Sequence, residues 1–120
     1  MQYMMMIFLN SSEWATLSST ERNQVHDDCG SWHEELVRNG NARVAMALQP
    51  VTTATTVRET NGRSMITDGP FAETKEVLGG FEILECRDLD EAVAIAKRFP
   101  GLRAGSAVEI RPLKTDPCRD

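Results

Sequence analysis

Residues 3–9 read Tyr3-Met4-Met5-Met6-Ile7-Phe8-Leu9, an apolar run unbroken by any polar side chain. Its length suits a strand and falls far short of the roughly 18 residues a membrane span needs. A strand that alternates apolar and polar residues needs cover on one face only. An unbroken apolar strand needs it on both. The run therefore predicts a central strand with material packed above and below it. No basic residue precedes it and no small-residue cleavage site follows it, so it reads as a strand and not as a signal peptide. The default address is the cytoplasm.

Working outward, Ser18 and Glu21 have the spacing of a capping box, in which a hydroxyl and a carboxylate each satisfy a backbone N–H of the first turn. A helix is predicted from there to about Asn39. Val25, Cys29, Trp32 and Leu36 line one face of it. Gly40 is the expected stop. Residues 43–48 read as a second strand. The Thr/Val-rich residues 52–60 and the returning residues 63–67 read as a hairpin about Asn61-Gly62. Residues 68–80 read mostly as loop, and 80–86 as a strand. Asp88 and Glu91 open a second helix that runs to about Phe99 before Pro100-Gly101. Residues 106–111 alternate as a last strand, and 114–120 form a polar tail.

This order predicts a single domain over residues 1–113 with an α+β, ferredoxin-like βαββαβ fold and an added hairpin. Two helices cover one face of such a sheet. A central strand that is apolar on both faces then needs a second cover, which another copy of the chain supplies most simply. The expected assembly is a homodimer with its sheets face to face.

Composition sets the outer bounds. The chain has 120 residues, 41% hydrophobic and 26% charged, ordinary values for a globular domain able to bury its own core. Eighteen acidic residues against thirteen basic leave a net charge of -5. No basic stripe is present to meet a phosphate backbone, so no nucleic-acid partner is expected, and no membrane partner. Cys29, Cys86 and Cys118 are widely spaced, which argues against a disulfide framework or a zinc knuckle. There is no nucleophile elbow and no phosphate-cradling glycine loop. No metal and no cofactor are expected.

The densest polar, turn-rich stretch is Thr67-Asp68-Gly69-Pro70-Phe71-Ala72-Glu73-Thr74-Lys75-Glu76. Gly permits unusual dihedrals and Pro fixes one, so the turn is stiff and holds its side chains in a defined direction. The segment Asp68–Glu76 resembles the signature of the DGPF-type proteins, a branch of the YCII-related family. Met1-Gln2-Tyr3-Met4 and Leu48-Gln49-Pro50 resemble that family's first two strands. Leu78-Gly79-Gly80-Phe81, Leu89-Asp90-Glu91-Ala92 and Val108-Glu109-Ile110-Arg111-Pro112 are similar to its later elements. The resemblance spans residues 1–113. It implies a dimeric α+β barrel. It also implies a His–Asp pair in a cleft in the wider family, and a regulatory setting beside extracytoplasmic-function sigma factors for many members. The family's aspartate corresponds to Asp68. Its histidine falls on Cys29, with His26 and His33 about one turn to either side.

The candidate catalytic residues are thus Asp68 and His33, the latter as a general base reaching across the cleft. Asp68 has a structural alternative, capping the turn as an Asx residue does. Gly69, Pro70, Phe71, Glu73, Lys75 and Glu76 are the candidate ligand-binding residues. For the three charged ones the alternative is a solvated loop, and for Phe71 and Phe81 it is core packing. Met4, Met5 and Met6 read as core filler. His26 and His33 stand about 10.5 Å apart along the helix, too far to share one metal ion. The function expected is binding, and turnover by metal-free acid–base chemistry, of a small polar metabolite at the Asp68–Glu76 loop. The alternative is a non-catalytic regulatory module with a sigma-factor-linked partner.

Overall fold

The computed structural model describes residues 1–119. The chain runs β1 (Gln2–Asn10), α1 (Ser11–Ala15), α2 (Ser19–Arg38), β2 (Ala42–Ala47), β3 (Thr55–Thr60), β4 (Arg63–Asp68), β5 (Glu76–Glu85), α3 (Leu89–Lys97) and β6 (Ala107–Pro112). Short 3-10 turns occupy Val51–Thr53 and Pro100–Ala104. Four strands form one sheet in the order β2-β5-β1-β6, and each neighbouring pair is antiparallel. With α2 and α3 as the two crossovers, this is the ferredoxin-like arrangement. The apolar strand β1 lies inside the sheet, between β5 and β6, as its composition requires.

Local chemistry sets the helix limits. The Glu21 N–H donates to Ser18 Oγ at 3.1 Å and the Ser18 N–H to Glu21 Oε1 at 3.3 Å, completing the capping box of α2. Asp88 caps α3 by accepting from the Glu91 N–H at 2.9 Å. Helix α1 was not anticipated. It rests on the same device, Asn10 Oδ1 accepting from the Glu13 N–H at 3.2 Å.

The helices pack on one face of the sheet. There Tyr3 and Met5 of β1 and Leu84 of β5 meet Trp32 and Leu36 of α2 and Ala92, Ile95 and Ala96 of α3. The Trp32 indole N–H donates to the Ile95 carbonyl at 3.2 Å, and its ring meets Phe99 edge-on at 5.2 Å, which ties α2 to α3. Met4, Met6 and Phe8 point to the opposite face, which no helix covers.

Three elements differ from expectation. Strand β5 begins at Glu76 and not at residue 80, because residues 76–78 pair with Phe8–Asn10 across a register shift at Ile7/Phe8. That shift places Gly79 outside the pairing as a bulge. Residues 51–53 form a 3-10 turn after Pro50 in place of a strand start. The added hairpin, β3–β4, forms a separate two-stranded sheet and does not join the main one. Its turn is the one the dipeptide demands, with φ at +52° for Asn61 and +76° for Gly62.

Leu36→Ala should destabilise the domain by about 2–5 kcal/mol in urea unfolding, because Leu36 is fully buried. Val37→Ala, one residue along but 55% exposed, should change stability by about 0.5 kcal/mol or less. Equal costs would contradict the packing described.

Candidate functional site

The alternation of β5 decides the site. Gly80, Glu82, Leu84 and Cys86 share the face toward the helices, and all four are buried. Glu82 is 3% exposed, the buried charged residue of this core among the described residues. A carboxylate in such a place needs a partner. The partner comes from α2, where His33 lies one turn beyond Cys29 at the edge of the helix's apolar stripe. His33 Nδ1 and Glu82 Oε1 are 2.8 Å apart. Burial pushes the Glu82 carboxyl above the usual carboxylate range, and the bond to His33 opposes that shift without cancelling it. With Glu82 ionised, Nδ1–H is the donor. The Nε2 edge of the ring is then left as the basic nitrogen. The His33 side chain is 40% exposed and borders the cavity described next, so the ring is within reach of a ligand.

The pair sits in the wall of a cavity of about 320 Å³ between α2 and the sheet, with Trp32, Ala45, Met46 and Phe81 among its lining. The two glycines of β5 shape this wall. A side chain at Gly79 would collide with Leu9. A Cβ at Gly80 would lie 2.9 Å from the Met46 carbonyl oxygen, so β2 approaches closely only because residue 80 has none. A second cavity of about 420 Å³ shares Leu9, Cys29, Ala47 and Phe99 with the first and continues toward Trp14 and His26. The His26 and Trp14 rings meet edge-on at 5.2 Å. The first carries His33 and Glu82 in an otherwise apolar lining, and the second is apolar apart from Asn10, Ser11, His26 and Ser106. Burial in this wall also pushes the Cys29 thiol up, which holds it in its neutral form. No group of three or more ligating side chains is placed to hold a metal ion among the described residues.

The residues of the Asp68–Glu76 segment lie elsewhere. Asp68 ends β4 and is exposed, and it lines neither cavity. Among the described residues its carboxylate accepts no hydrogen bond, so it does not cap the turn. The turn is held by backbone and hydroxyl groups instead. The Gly69 N–H donates to the Ala54 carbonyl at 2.7 Å, and the Thr56 hydroxyl donates to the Gly69 carbonyl at 2.8 Å. Gly69 has φ at +98°, a value that favours glycine. Pro70 is half-buried, while Glu73, Lys75 and Glu76 are exposed. Phe71 is 75% exposed, with the Arg58 guanidinium 6.0 Å from its ring centre, so it is not a core residue. Phe81 borders the cavity on β5, but strand alternation turns its side chain to the face away from the helices. The structure thus brings His33 to Glu82, within one chain, and leaves Asp68 at the end of the hairpin with its neighbours in the loop that leads to β5. Glu82 escaped notice in the sequence, although a lone carboxylate among Gly80, Leu84 and Cys86 on one strand face was visible there.

Replacing Glu82 by glutamine tests this electrostatic picture. A carboxyl whose value is raised by folding is favoured when protonated. Its contribution is therefore fully present below the ordinary glutamate value of about 4.3 and is lost as pH rises through the raised value. The stability of Glu82→Gln relative to the native chain should accordingly climb with pH across that window in urea unfolding. A difference independent of pH would contradict the burial argument.

Comparison with known proteins places the chain. The YCII-related domain matches residues 1–115. An uncharacterised protein of Rhizobium meliloti (strain 1021) is 33% identical over 114 residues, covering 94% of this chain and 92% of that protein. Among solved structures, the 5-chloro-2-hydroxyhydroquinone dehydrochlorinase of Burkholderia phenoliruptrix AC1100, in complex with 2,5-dihydroxybenzoquinone, superposes over the whole of both chains with a TM-score of 0.57 at 16% identity. That likeness concerns the fold. No helix among the described residues is long and apolar enough to cross a membrane. From the match over nearly its whole length, the chain belongs to the YCII-related family.

Proposed function

We propose that this chain binds a small molecule in the cavity between α2 and the sheet, and that the His33–Glu82 pair exchanges a proton with it. The observation that carries this reading is the buried Glu82 carboxylate, bonded at 2.8 Å to a histidine that opens into the cavity. Burying an ionisable group there costs stability that an apolar side chain would not cost. Perturbed carboxyls in clefts concentrate at working sites. The walls revise the expected ligand. Its body is largely apolar, to suit Leu9, Trp14, Trp32 and Phe99, and it carries one polar group at the His33 end. Glu82 holds Nδ1 protonated and stabilises the imidazolium formed when Nε2 takes a proton from the ligand. The imidazolium then returns that proton to the same or another ligand atom, so the step needs no metal. Asp68 at the end of the hairpin, and the loop from there to Glu76, act as ligand-orienting groups at the boundary with a second copy.

The assembly we propose is a homodimer built on the uncovered sheet face. Register sets three rows across that face: Val44-Ile83-Met4-Arg111, Met46-Phe81-Met6-Glu109, and Leu78-Phe8-Ala107. The first two are apolar over three strands and end in opposite charges on β6. Two copies related by a two-fold axis passing between these rows set each Glu109 against the other copy's Arg111, so the face is self-complementary. Val44→Asp, at an exposed position of edge strand β2, should shift sedimentation from twice the 13.4 kDa chain mass toward the monomer.

A thermal-shift screen of lactones, phenols, small ketones and small carboxylates tests the site. A true ligand at 100 times its Kd stabilises the fold by about 2.7 kcal/mol. That shift should be lost or much reduced in His33→Gln and Glu82→Gln. A hit that survives both but is abolished by Asp68→Asn would move the site to the loop. A flat screen together with a co-purifying sigma factor would favour the regulatory reading over this one.

A further inference from the structure

The second cavity carries polar groups that the fold itself does not use. Most of its wall is apolar, with Leu9, Trp14, Val25, Phe99 and Ala104. Asn10 and Ser11 enter that wall from the junction of β1 and α1, Ser106 from just before β6, and His26 from α2. Since β1 and β6 pair as far as Phe8 and Ala107, the first three lie at one end of the sheet. Asn10 Oδ1 is occupied in capping α1. Among the described residues the Asn10 amide N–H2, the hydroxyls of Ser11 and Ser106 and the His26 ring nitrogens make no hydrogen bond. Each of these groups can donate one. A few donors set in an apolar wall are what orients a bound small molecule.

This polar end and the His33–Glu82 pair are joined by one helix. His26 and His33 are seven residues apart on α2, so they lie on nearly the same face, about 10.5 Å apart along the axis. Cys29 stands between them and lines both cavities, as do Leu9, Ala47 and Phe99. The two polar ends therefore share an apolar middle. Their chemistry differs. His33 Nε2 is an acceptor backed by the Glu82 carboxylate, so it suits a hydroxyl and disfavours an anion. The other end offers donors, and no carboxylate lines it, so it suits a carbonyl or a carboxylate.

We propose that the ligand of this site is two-headed. A hydroxyl meets His33, an apolar body passes Cys29, and a carboxylate or carbonyl is held by Asn10, Ser11, His26 and Ser106. The inference rests on the binding site proposed above and adds the class of ligand and the direction in which it lies.

Calorimetric titration with ω-hydroxyalkanoates, from hydroxyhexanoate to hydroxydodecanoate, tests this beside the n-alkanol of each length. Affinity for the hydroxy acids should peak within the series, where the body matches the span between the heads. At the peak the hydroxy acid should bind about tenfold more tightly than its alkanol, the gain from hydrogen bonds to a charged group. Ser11→Ala/Ser106→Ala, with melts to confirm folding, should raise the Kd of the hydroxy acid about fivefold more than that of the alkanol. His26→Gln serves if the double variant fails to fold. His33→Gln should weaken both ligands. A hydroxy acid no tighter than its alkanol at every length would overturn the two-headed ligand, and an alkanol still weakened by His33→Gln would leave the site itself standing. A gain that survives the serine and His26 variants would overturn the placing of the second head. A series in which nothing binds would overturn the ligand class, leaving the site to the wider screen above.

Discussion

The structure depends on the demand of β1 for cover on two faces. Tyr3 and Met5 point one way and Met4, Met6 and Phe8 the other, and none of the five can be left in water without loss. The helices answer the first set. Trp32, Leu36, Ile95 and Phe99 close over Tyr3 and Met5, and the Trp32–Ile95 hydrogen bond fixes how the two helices lean together. The second set meets no helix among the described residues and stays only partly buried. The three apolar rows of the open face follow from the same shortage, since a single layer of helices can serve only one side of a sheet.

The candidate site is a local departure from that apolar logic. Every other strand residue facing α2 and α3 in β5 is glycine or apolar. Glu82 alone brings a charge into the layer, and the fold accommodates it through one histidine on the rim of α2. Gly79 and Gly80 sit immediately before it, where a side chain would collide with Leu9 or crowd the Met46 carbonyl. Residues that let β1 and β2 pack closely thus stand beside a residue that is costly to bury.

Much of the fold was legible in the sequence because its signals are local. The cap at Ser18 and Glu21, the turn at Asn61-Gly62 and the apolar run of β1 each specify their own conformation within a few residues. Where the reading failed, the deciding contact was distant. Residues 76–79 read as loop from their charge and glycines, yet they are strand because β1 offers them partners across a bulge. The hairpin's separation from the main sheet is likewise invisible in its own residues. The site was legible only in part. His33 could be singled out, but its partner could not, because Glu82 lies 49 positions away and the two meet only once α2 packs on β5. The polar segment from Asp68 drew attention by composition, whereas burial selects Glu82.

The central claim is that Glu82 is a buried, histidine-bonded carboxyl. The most direct test follows its side-chain carboxyl carbon by nuclear magnetic resonance from acid to neutral pH, in the native chain and in His33→Gln. The account predicts a midpoint above the ordinary glutamate value of about 4.3. It also predicts a chemical-shift step at the His33 ring in the same pH range, and a still higher midpoint once His33 is replaced. A Glu82 carboxyl that titrates with the surface glutamates, and does not respond to the loss of His33, would contradict it.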